Sequence, residues 1–214
     1  MSIIKETFDK GVKILKVIKP NLIFLTGKSG TGKSYLSGKL EEVGYVPLEL
    51  DLIVRKLGKK YNVGTAPDYD TAFQVYKGKG SVEIKRDFIK EIHKFIEKNI
   101  GKPIIIDGAI SDPKMINKVF SKKYKVFTFV YLFPNSVSKY GERLMKRFVK
   151  DVTSNKKTLP FWSEVPEELG KKEALKSKKV KDLLKVMAKK MKKKSDKRFD
   201  SFKDAGFSIY AILV

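Results

Sequence analysis

This 214-residue chain contains no cysteine, which excludes disulfide bonds, cysteine-ligated metals and thiol catalysis. It also lacks any apolar run near the ~18–20 residues that a helix needs to cross a bilayer, so we do not expect an integral membrane protein. No secretory signal is expected at residues 2–20, because charged side chains from Lys5 to Lys16 interrupt the apolar ones. Since a chain without cysteine suits a reducing compartment, we expect a cytoplasmic protein.

Acidic residues and arginine are scarce beside lysine. The chain has 47 basic and 24 acidic side chains, for a net charge of +23, and its arginines are Arg55, Arg86, Arg143, Arg147 and Arg198. A charge of this sign attracts polyanions, whether nucleic acid, an anionic membrane or nucleotide phosphates. Arginine binds phosphate through a planar two-point fork, whereas lysine is a mobile point charge. The few arginines are therefore worth locating one by one.

The pattern of apolar residues predicts an α/β fold. Apolar residues make up 42% of the chain, enough for the core of one compact domain over residues 1–214. The predicted strands are 22–26, 45–50, 103–107, 125–132 and 207–213, and the predicted helices are 3–18 (an N-terminal helix within 1–20), 33–43, 82–99 and 136–150. This alternation predicts three α/β/α layers around a mostly parallel five-stranded sheet.

Residues 171–198 differ in composition, with 14 basic and 3 acidic side chains. Apolar residues nevertheless recur there on one helical face, and Phe199 and Phe202 can extend that stripe, which predicts a long basic helix over 171–204. The stripe consists of Val180, Leu183, Leu184, Met187 and Met191. Two interpretations stay open: a helix with one packed and one solvated face, or a face that binds nucleic acid.

A phosphate-binding motif follows the first predicted strand of the sheet. Residues 27–34, GKSGTGKS, fill every fixed position of the P-loop (Walker A) pattern G-x-x-x-x-G-K-[ST]. Glycines let backbone N–H groups turn inward around phosphate oxygens, and the helix that follows adds its positive end. We expect Gly27, Ser29, Gly30, Thr31, Gly32, Lys33 and Ser34 to bind ATP. The Lys33 ammonium would reach the β- and γ-phosphates, and the Ser34 hydroxyl would bind Mg²⁺.

A second Mg²⁺ ligand is expected at the end of the strand 103–107. Asp107 closes the apolar run Pro103–Ile106, where P-loop proteins carry their Walker B carboxylate. The alternative interpretation is an aspartate in an ordinary turn after a strand.

Residues 22–57 resemble the opening of dephospho-coenzyme A kinases, within the nucleoside-monophosphate-kinase-like group of P-loop kinases. The resemblance rests on LIFLTGKSGTGKSYLSGKLEEVGYVPLELDLIVRKL, about a sixth of the chain. In that family the strand after the P-loop helix ends D-x-D-x-x-x-R. By this resemblance Asp51 matches the second Asp, Arg55 matches the Arg, and Glu49 stands where the first Asp is expected. The resemblance implies a kinase whose acceptor substrate lies against Glu49 and Arg55.

The residues around Asp51 suit that role chemically. A carboxylate at the end of this strand can face the γ-phosphate and accept a proton from an acceptor hydroxyl. Arg55, one helical turn beyond it, can bind an acceptor phosphate. Alternatively, Asp51 caps a helix that starts at Leu52.

A further arginine pair resembles the mobile lid of these kinases, which we expect over 136–165. Arg143 and Arg147 are four residues apart, so on a helix they face the same way and could neutralise the transferring phosphoryl group. Both could instead lie on an ordinary surface helix. Arg86, near the start of the helix 82–99, is a candidate for the acceptor-phosphate site.

The remaining unusual residues are expected to be structural. His93 lies mid-helix among apolar residues and is expected to pack there. Trp162 is expected to pack, with stacking on an acceptor base as the alternative. Asp68 and Asp70 are expected to be solvated, although a metal there is conceivable.

The leading interpretation is an ATP- and Mg²⁺-dependent phosphotransferase (kinase) acting on a hydroxyl or phosphate of a nucleotide-like small molecule. Lys33, Asp51, Arg143 and Arg147 would carry the chemistry, and catalysis would consist of positioning and charge neutralisation. A polynucleotide 5′-hydroxyl kinase is the first alternative, which the charge of +23 and the basic helix favour. A nucleic-acid-binding P-loop ATPase without an acceptor is the second. The basic helix has no counterpart in the dephospho-coenzyme A kinases, so the acceptor stays open.

Overall fold

A computed structural model of the chain describes residues 2–28, 30–63, 81–108, 110, 112–120, 128–154 and 176–214. Ser29 of the glycine motif, the pair Asp68 and Asp70, and Trp162 lie outside the described residues. The part of the predicted lid beyond residue 154 and the first residues of the predicted basic helix, 171–175, lie outside them as well.

Along the described residues, each strand except the last is followed by a helix. Strands β1 to β6 are Ile3–Thr7, Leu22–Gly27, Val46–Glu49, Ile104–Asp107, Thr128–Phe133 and Ile209–Leu213. Helices α1 to α7 are Phe8–Ile18, Lys33–Glu41, Leu50–Lys60, Ser81–Lys98, Pro113–Phe120, Val137–Thr153 and Lys178–Asp204. The predicted α/β class is therefore confirmed, and each of the five predicted strands is present.

All six strands are parallel and form one sheet in the order β1-β6-β5-β2-β4-β3. Strand β2 lies near the centre, with β5 on one side and β4 on the other. Because the strands are parallel, their carboxyl ends meet at one edge of the sheet. The chain passes from one side of β2 to the other between β4 and β5, and such reversals open a crevice at the carboxyl edge.

The sixth strand, β1, corrects the prediction that a helix begins at residue 3. Residues 3–7 pair in parallel with β6, from Ile3 beside Ile209 to Thr7 beside Leu213, and α1 begins only at Phe8. The local spacing of apolar residues predicted a helix wrongly, because it carries no information about pairing with Ile209–Leu213. Pairing with β6 satisfies backbone groups on both strands, and this outweighs the helical pattern.

The sheet is covered on both faces, which gives the predicted three layers. Alternate residues of the central strands face opposite sides, as strand geometry requires. Phe24, Ile106 and Phe129 pack in one core with α3, α4, α5 and the end of α7, whereas Ile23 and Ile105 pack in another with α1 and α2.

Helices α6 and α7 pack on each other through a separate apolar cluster. The predicted stripe of α7 contributes to it, with Val180 and Leu184 buried against Tyr140, Leu144 and Phe148 of α6. The packed face of the basic helix is thereby confirmed. Among the described residues, no helix is long and apolar enough to cross a membrane.

Candidate active site

The described residues between β2 and α2, together with Gly27 at the end of β2, turn tightly at the carboxyl edge of the sheet. Thr31 donates hydrogen bonds to the Lys28 carbonyl from both its side-chain Oγ1 (2.7 Å) and its backbone N–H (3.2 Å). Gly30 and Gly32 have φ angles of +80° and +91°, in the left-handed region that glycine adopts without strain. We call residues 27–32 the glycine loop. Its described residues have the strand–turn–helix setting that the motif requires.

Neighbouring elements pack closely against the glycine loop. A Cβ atom on Gly27 would lie 2.8 Å from the Leu132 carbonyl oxygen and 2.9 Å from Thr31 Oγ1. One on Gly30 would lie 3.0 Å from Cδ2 of Leu144, on α6. The glycine loop therefore packs between β5 and α6, and a larger residue at Gly27 would push the loop away from β5.

Lys33, the first residue of α2, lies among charges of both signs. Burial is the main cause that lowers the pKa of its ammonium group, and the nearby cations Arg147 and Arg198 lower it further. The carboxylates of Asp107 and Asp51 act in the opposite direction. Four charged side chains from four different elements thus act on the lysine of the glycine loop.

Asp107 ends β4 beside the glycine loop and is 9% exposed. In register it pairs with Leu25 of β2 on one side and with Glu49 of β3 on the other. Burial raises the pKa of its carboxyl group to about 6; Lys33 opposes the rise and Glu49 adds to it. Among the described residues its buried Oδ1 atom has no hydrogen-bond partner. A buried carboxylate oxygen without a donor is the kind of ligand that a hard cation such as Mg²⁺ uses, so these residues fit such an ion.

The raised pKa of Asp107 should make the metal-free protein lose stability as pH rises. The folded-state pKa of about 6 lies above the ordinary 3.8, so the folded protein holds this proton more tightly. The resulting stabilisation is complete below pH 3.8 and is lost as pH rises through about 6. Asp107→Asn, which carries no charge, should therefore be more stable than the natural protein at pH 7.5, by up to about 3 kcal/mol.

Urea unfolding in EDTA at pH 4 and at pH 7.5 measures this difference. The advantage of the Asn variant should appear only at the higher pH, and added Mg²⁺ should narrow it. A stability difference between the two proteins that is the same at both pH values would contradict the raised pKa of Asp107.

Glu49, the last residue of β3, and Asp51, in the first turn of α3, lie at the same edge of the sheet. The helix begins at Leu50, and the capping residue is Glu49, whose side chain makes no capping hydrogen bond. The alternative in which Asp51 caps a helix starting at Leu52 is therefore wrong, because Asp51 already lies in the first helical turn. There its negative charge faces the positive end of the helix and acts on Lys33.

Gly108, directly after Asp107, is a structural requirement that the sequence did not reveal. A Cβ atom there would lie 2.6 Å from Cδ1 and 2.7 Å from Cβ of Leu50, the first residue of α3. Its N–H group donates to the Leu25 carbonyl at 3.2 Å, so the backbone has little room to move. Gly108 thus lets α3 approach β4 and brings Asp51 towards Asp107.

Gly108→Ala is expected to destabilise the fold by about 1–3 kcal/mol, because the added methyl group overpacks this contact. Thermal unfolding of the variant measures the loss. The matched control is Gly38→Ala on α2, where a Cβ would meet nothing within 4 Å. Equal stability of the two variants would show that the contact with Leu50 is easily relieved.

The structure brings only some of the predicted arginines to this edge. Among the described residues, the cations that act on Lys33 are Arg147 of α6 and Arg198 of α7. Arg143 lies one turn before Arg147 and is partly exposed, while Arg55 and Arg86 are exposed on α3 and α4. Arg198 had no predicted role, and the signal that could have found it is its rarity among lysines.

His93 is a packing residue, as predicted. Its Nε2 atom lies 2.8 Å from the Val119 carbonyl oxygen, which joins α4 to α5. The side chain is partly buried on the face of α4 that contributes Ile92 and Ile96 to the core.

Comparisons with known proteins find similar folds only. No family model matches the chain, and no curated protein sequence matches it. A gluconokinase from Sinorhizobium meliloti 1021 is 16% identical with a TM-score of 0.47, over 91% of this chain and 83% of that one. TT1252 from Thermus thermophilus is 12% identical with a TM-score of 0.49, over 91% of this chain and 88% of that one. Because both TM-scores are below 0.5, these likenesses carry no conclusion about activity.

Proposed function

We propose that the chain is an ATP- and Mg²⁺-dependent P-loop phosphotransferase that moves the γ-phosphoryl group to a nucleotide-like small molecule. The observation that carries this proposal is the convergence at the glycine loop of Lys33, Asp107, Asp51 and Arg147. A helix N-terminus, an ammonium group and a guanidinium group attract phosphate, while the buried Asp107 carboxylate suits the accompanying cation. Together they supply the parts that phosphoryl transfer requires.

The nucleotide would be held by the glycine loop and the first turn of α2. Its phosphate oxygens would accept hydrogen bonds from loop amides, including those of Gly27, Ser29, Gly30, Thr31 and Gly32, with Lys33 at the β- and γ-phosphates. Ser34 is exposed in that first turn and, with Asp107, would hold Mg²⁺. When bound, the ion neutralises charge on the phosphate oxygens.

Asp51 is the proposed base. As an acceptor hydroxyl oxygen forms its bond to the γ-phosphorus, the bond from that phosphorus to the β-phosphate oxygen breaks and ADP leaves. The proton of the hydroxyl passes to the Asp51 carboxylate. Arg147, with Arg143 one turn away, would neutralise the oxygens of the group in transit.

The acceptor would lie beyond Asp51, against Glu49, Arg55 and Arg86. Glu49 and Arg55 are exposed at the start and on the surface of α3, where an incoming substrate can reach them. The resemblance of residues 22–57 to dephospho-coenzyme A kinases makes dephospho-coenzyme A the first acceptor to offer. The lack of cysteine supports a cytoplasmic location for such an enzyme.

A polynucleotide 5′-hydroxyl kinase is the second candidate. The observation that favours it is the solvent-facing side of α7, on which ten lysines are exposed. Lysines in such a row can neutralise successive phosphates of a nucleic acid, and the binding would then weaken steeply with salt. The same face would also suit an ATPase that binds nucleic acid without phosphorylating it.

Incubation with γ-labelled ATP and Mg²⁺ tests these candidates. Three acceptors are offered separately: dephospho-coenzyme A, a mixture of nucleoside monophosphates, and 5′-hydroxyl oligonucleotides. Lys94→Met, an exposed lysine of α4 on a surface ion pair, is the control variant that should behave as the natural protein. Label on a small acceptor supports the proposal. Label on the oligonucleotide alone supports the second candidate, and release of free phosphate that oligonucleotides stimulate supports the ATPase. No consumption of ATP with any of them overturns the proposal.

A further inference from the structure

The single arginine of α7 is also the only buried cation of that helix. Over Lys178–Asp204 the helix carries eleven lysines and one arginine. Ten of the lysines are exposed, and Lys192 is partly covered in a 2.9 Å ion pair with Asp196. Arg198, in contrast, is 8% exposed. A buried lysine can shed its proton, whereas arginine cannot, so this position holds a permanent positive charge inside the protein.

Packing of α7 on the sheet fixes the position of that charge. The Tyr131 hydroxyl donates a hydrogen bond to the Ser195 carbonyl at 3.0 Å. The Phe199 ring packs edge-on against the Tyr131 ring, with the two ring centroids 5.6 Å apart. Arg198 lies between these two anchors on the same stretch of helix. Tyr131 in turn pairs in register with Thr26, the residue before the glycine loop. Arg198 is therefore held near the point where β2 enters the loop.

Three cations from three helices converge on this edge. Arg147 from α6 and Arg198 from α7 both act on Lys33, the first residue of α2, adding to the effect of burial on its pKa. The carboxylates of Asp107 and Asp51 offset part of this positive charge. Bringing like charges together costs free energy unless an anion lies among them. A polyphosphate, which presents several charged oxygens, is such an anion, and a guanidinium fork can bind two of them at once.

We infer that Arg198 is a phosphate-binding residue, whose guanidinium group contacts the terminal phosphates of the bound nucleotide alongside Lys33. The inference rests on the proposed function, because it takes the glycine loop to hold a nucleoside triphosphate. It gives the basic helix a part in the nucleotide site: α7 delivers one buried arginine to the phosphates and turns its lysines to solvent. A residue outside every recognised motif thereby determines how strongly the site prefers a triphosphate.

Calorimetric titration with Mg·ATP and with AMP, at one salt concentration, tests the inference. Arg198→Met is compared with Arg198→Lys, with Lys197→Met as the matched exposed control and with Lys33→Met as the reference for a lost phosphate contact. Loss of a charge-assisted contact should reduce the affinity for ATP about ten- to a hundredfold in Arg198→Met and leave that for AMP unchanged. Arg198→Lys should recover part of the loss, and Lys197→Met should match the natural protein.

The ratio of ATP to AMP affinity separates a phosphate contact from a purely structural role. A destabilised site would weaken both nucleotides equally, so an unchanged ratio in the Arg198 variants overturns the inference. If Arg198→Met does not fold, the ratio of ATP to AMP affinity measured for Arg198→Lys tests the inference instead. Lysine keeps the positive charge but lacks the guanidinium fork. If the natural protein does not prefer ATP, or Lys33→Met retains the preference, the proposed function fails instead.

Discussion

Lys33→Met is expected to lower the rate of phosphoryl transfer by about 10²–10³-fold. The ammonium group lies in a partly buried position beside Asp107 and Asp51, where a charge acts more strongly than it does in water. Methionine keeps the length of the side chain but supplies neither the charge nor the hydrogen bonds. The group that it removes would stabilise the developing charge on the transferring phosphoryl group, so both the rate and the affinity for ATP should fall. Single-turnover kinetics with γ-labelled ATP measure the first, and calorimetry measures the second.

The matched control for Lys33→Met is Lys39→Met, on the same helix. Lys39 forms a surface ion pair with Glu42 at 2.7 Å, and such pairs contribute little. Lys39→Met should keep the natural rate and nearly the natural stability. Natural activity in Lys33→Met would remove the lysine from the mechanism and, with it, the main support for a P-loop enzyme.

Asp51→Asn is expected to lower the rate by about 10²–10⁴-fold while the affinity for ATP stays within about threefold of the natural value. The reason for the split is that Asp51 would accept the proton of the acceptor, whereas the glycine loop holds the nucleotide. Asparagine has nearly the same shape and keeps a polar group in the first turn of α3, but it cannot act as the base. Steady-state rates with a saturating acceptor, together with calorimetric titration of ATP, measure the two quantities.

Asp182→Asn, an exposed carboxylate of α7 paired with Lys185 at 3.5 Å, is the control for Asp51→Asn. It removes a charge of the same kind from a surface position and should change neither quantity. Should Asp51→Asn weaken ATP binding as much as it slows transfer, Asp51 would belong to the nucleotide site. Its role as base would then be wrong.

The central part of the fold could be predicted because its signals are local. Strand β2 was expected at 22–26 and spans Leu22–Gly27, and α2 was expected to begin at 33 and does. Buried parallel strands read as continuous apolar runs, which a sequence displays directly. Strand β1 and helix α5 escaped prediction for different reasons. β1 depends on a partner about two hundred residues away, and α5, Pro113–Phe120, is too short for its periodicity to be distinctive.

The residues of the candidate site show the same difference between those that local signals predict and those that only tertiary packing reveals. Lys33 and Asp107 were predicted from local signals: Lys33 from the glycine motif, and Asp107 from its position at the end of an apolar strand. Gly108 and Arg198 were not, because their importance lies in what tertiary packing brings to them: the side chain of Leu50 in one case and the glycine loop in the other. The spacing of residues in a sequence predicts which side chains share one face of a helix or strand. It does not predict that α7 packs on the sheet, because that contact depends on the whole fold.

The pairing of β1 with β6 also affects the order in which the sheet can form while the chain is synthesised on the ribosome. The glycine-loop strand β2 has both neighbours once Phe133 has emerged, whereas β1 must wait until Ile209–Leu213 has been made. Contacts between residues so distant in the chain close large loops and slow folding. Strand β1 leaves the ribosome before the other five described strands but is among the last to pair, because the sheet is completed only when Ile209–Leu213 meets Ile3–Thr7.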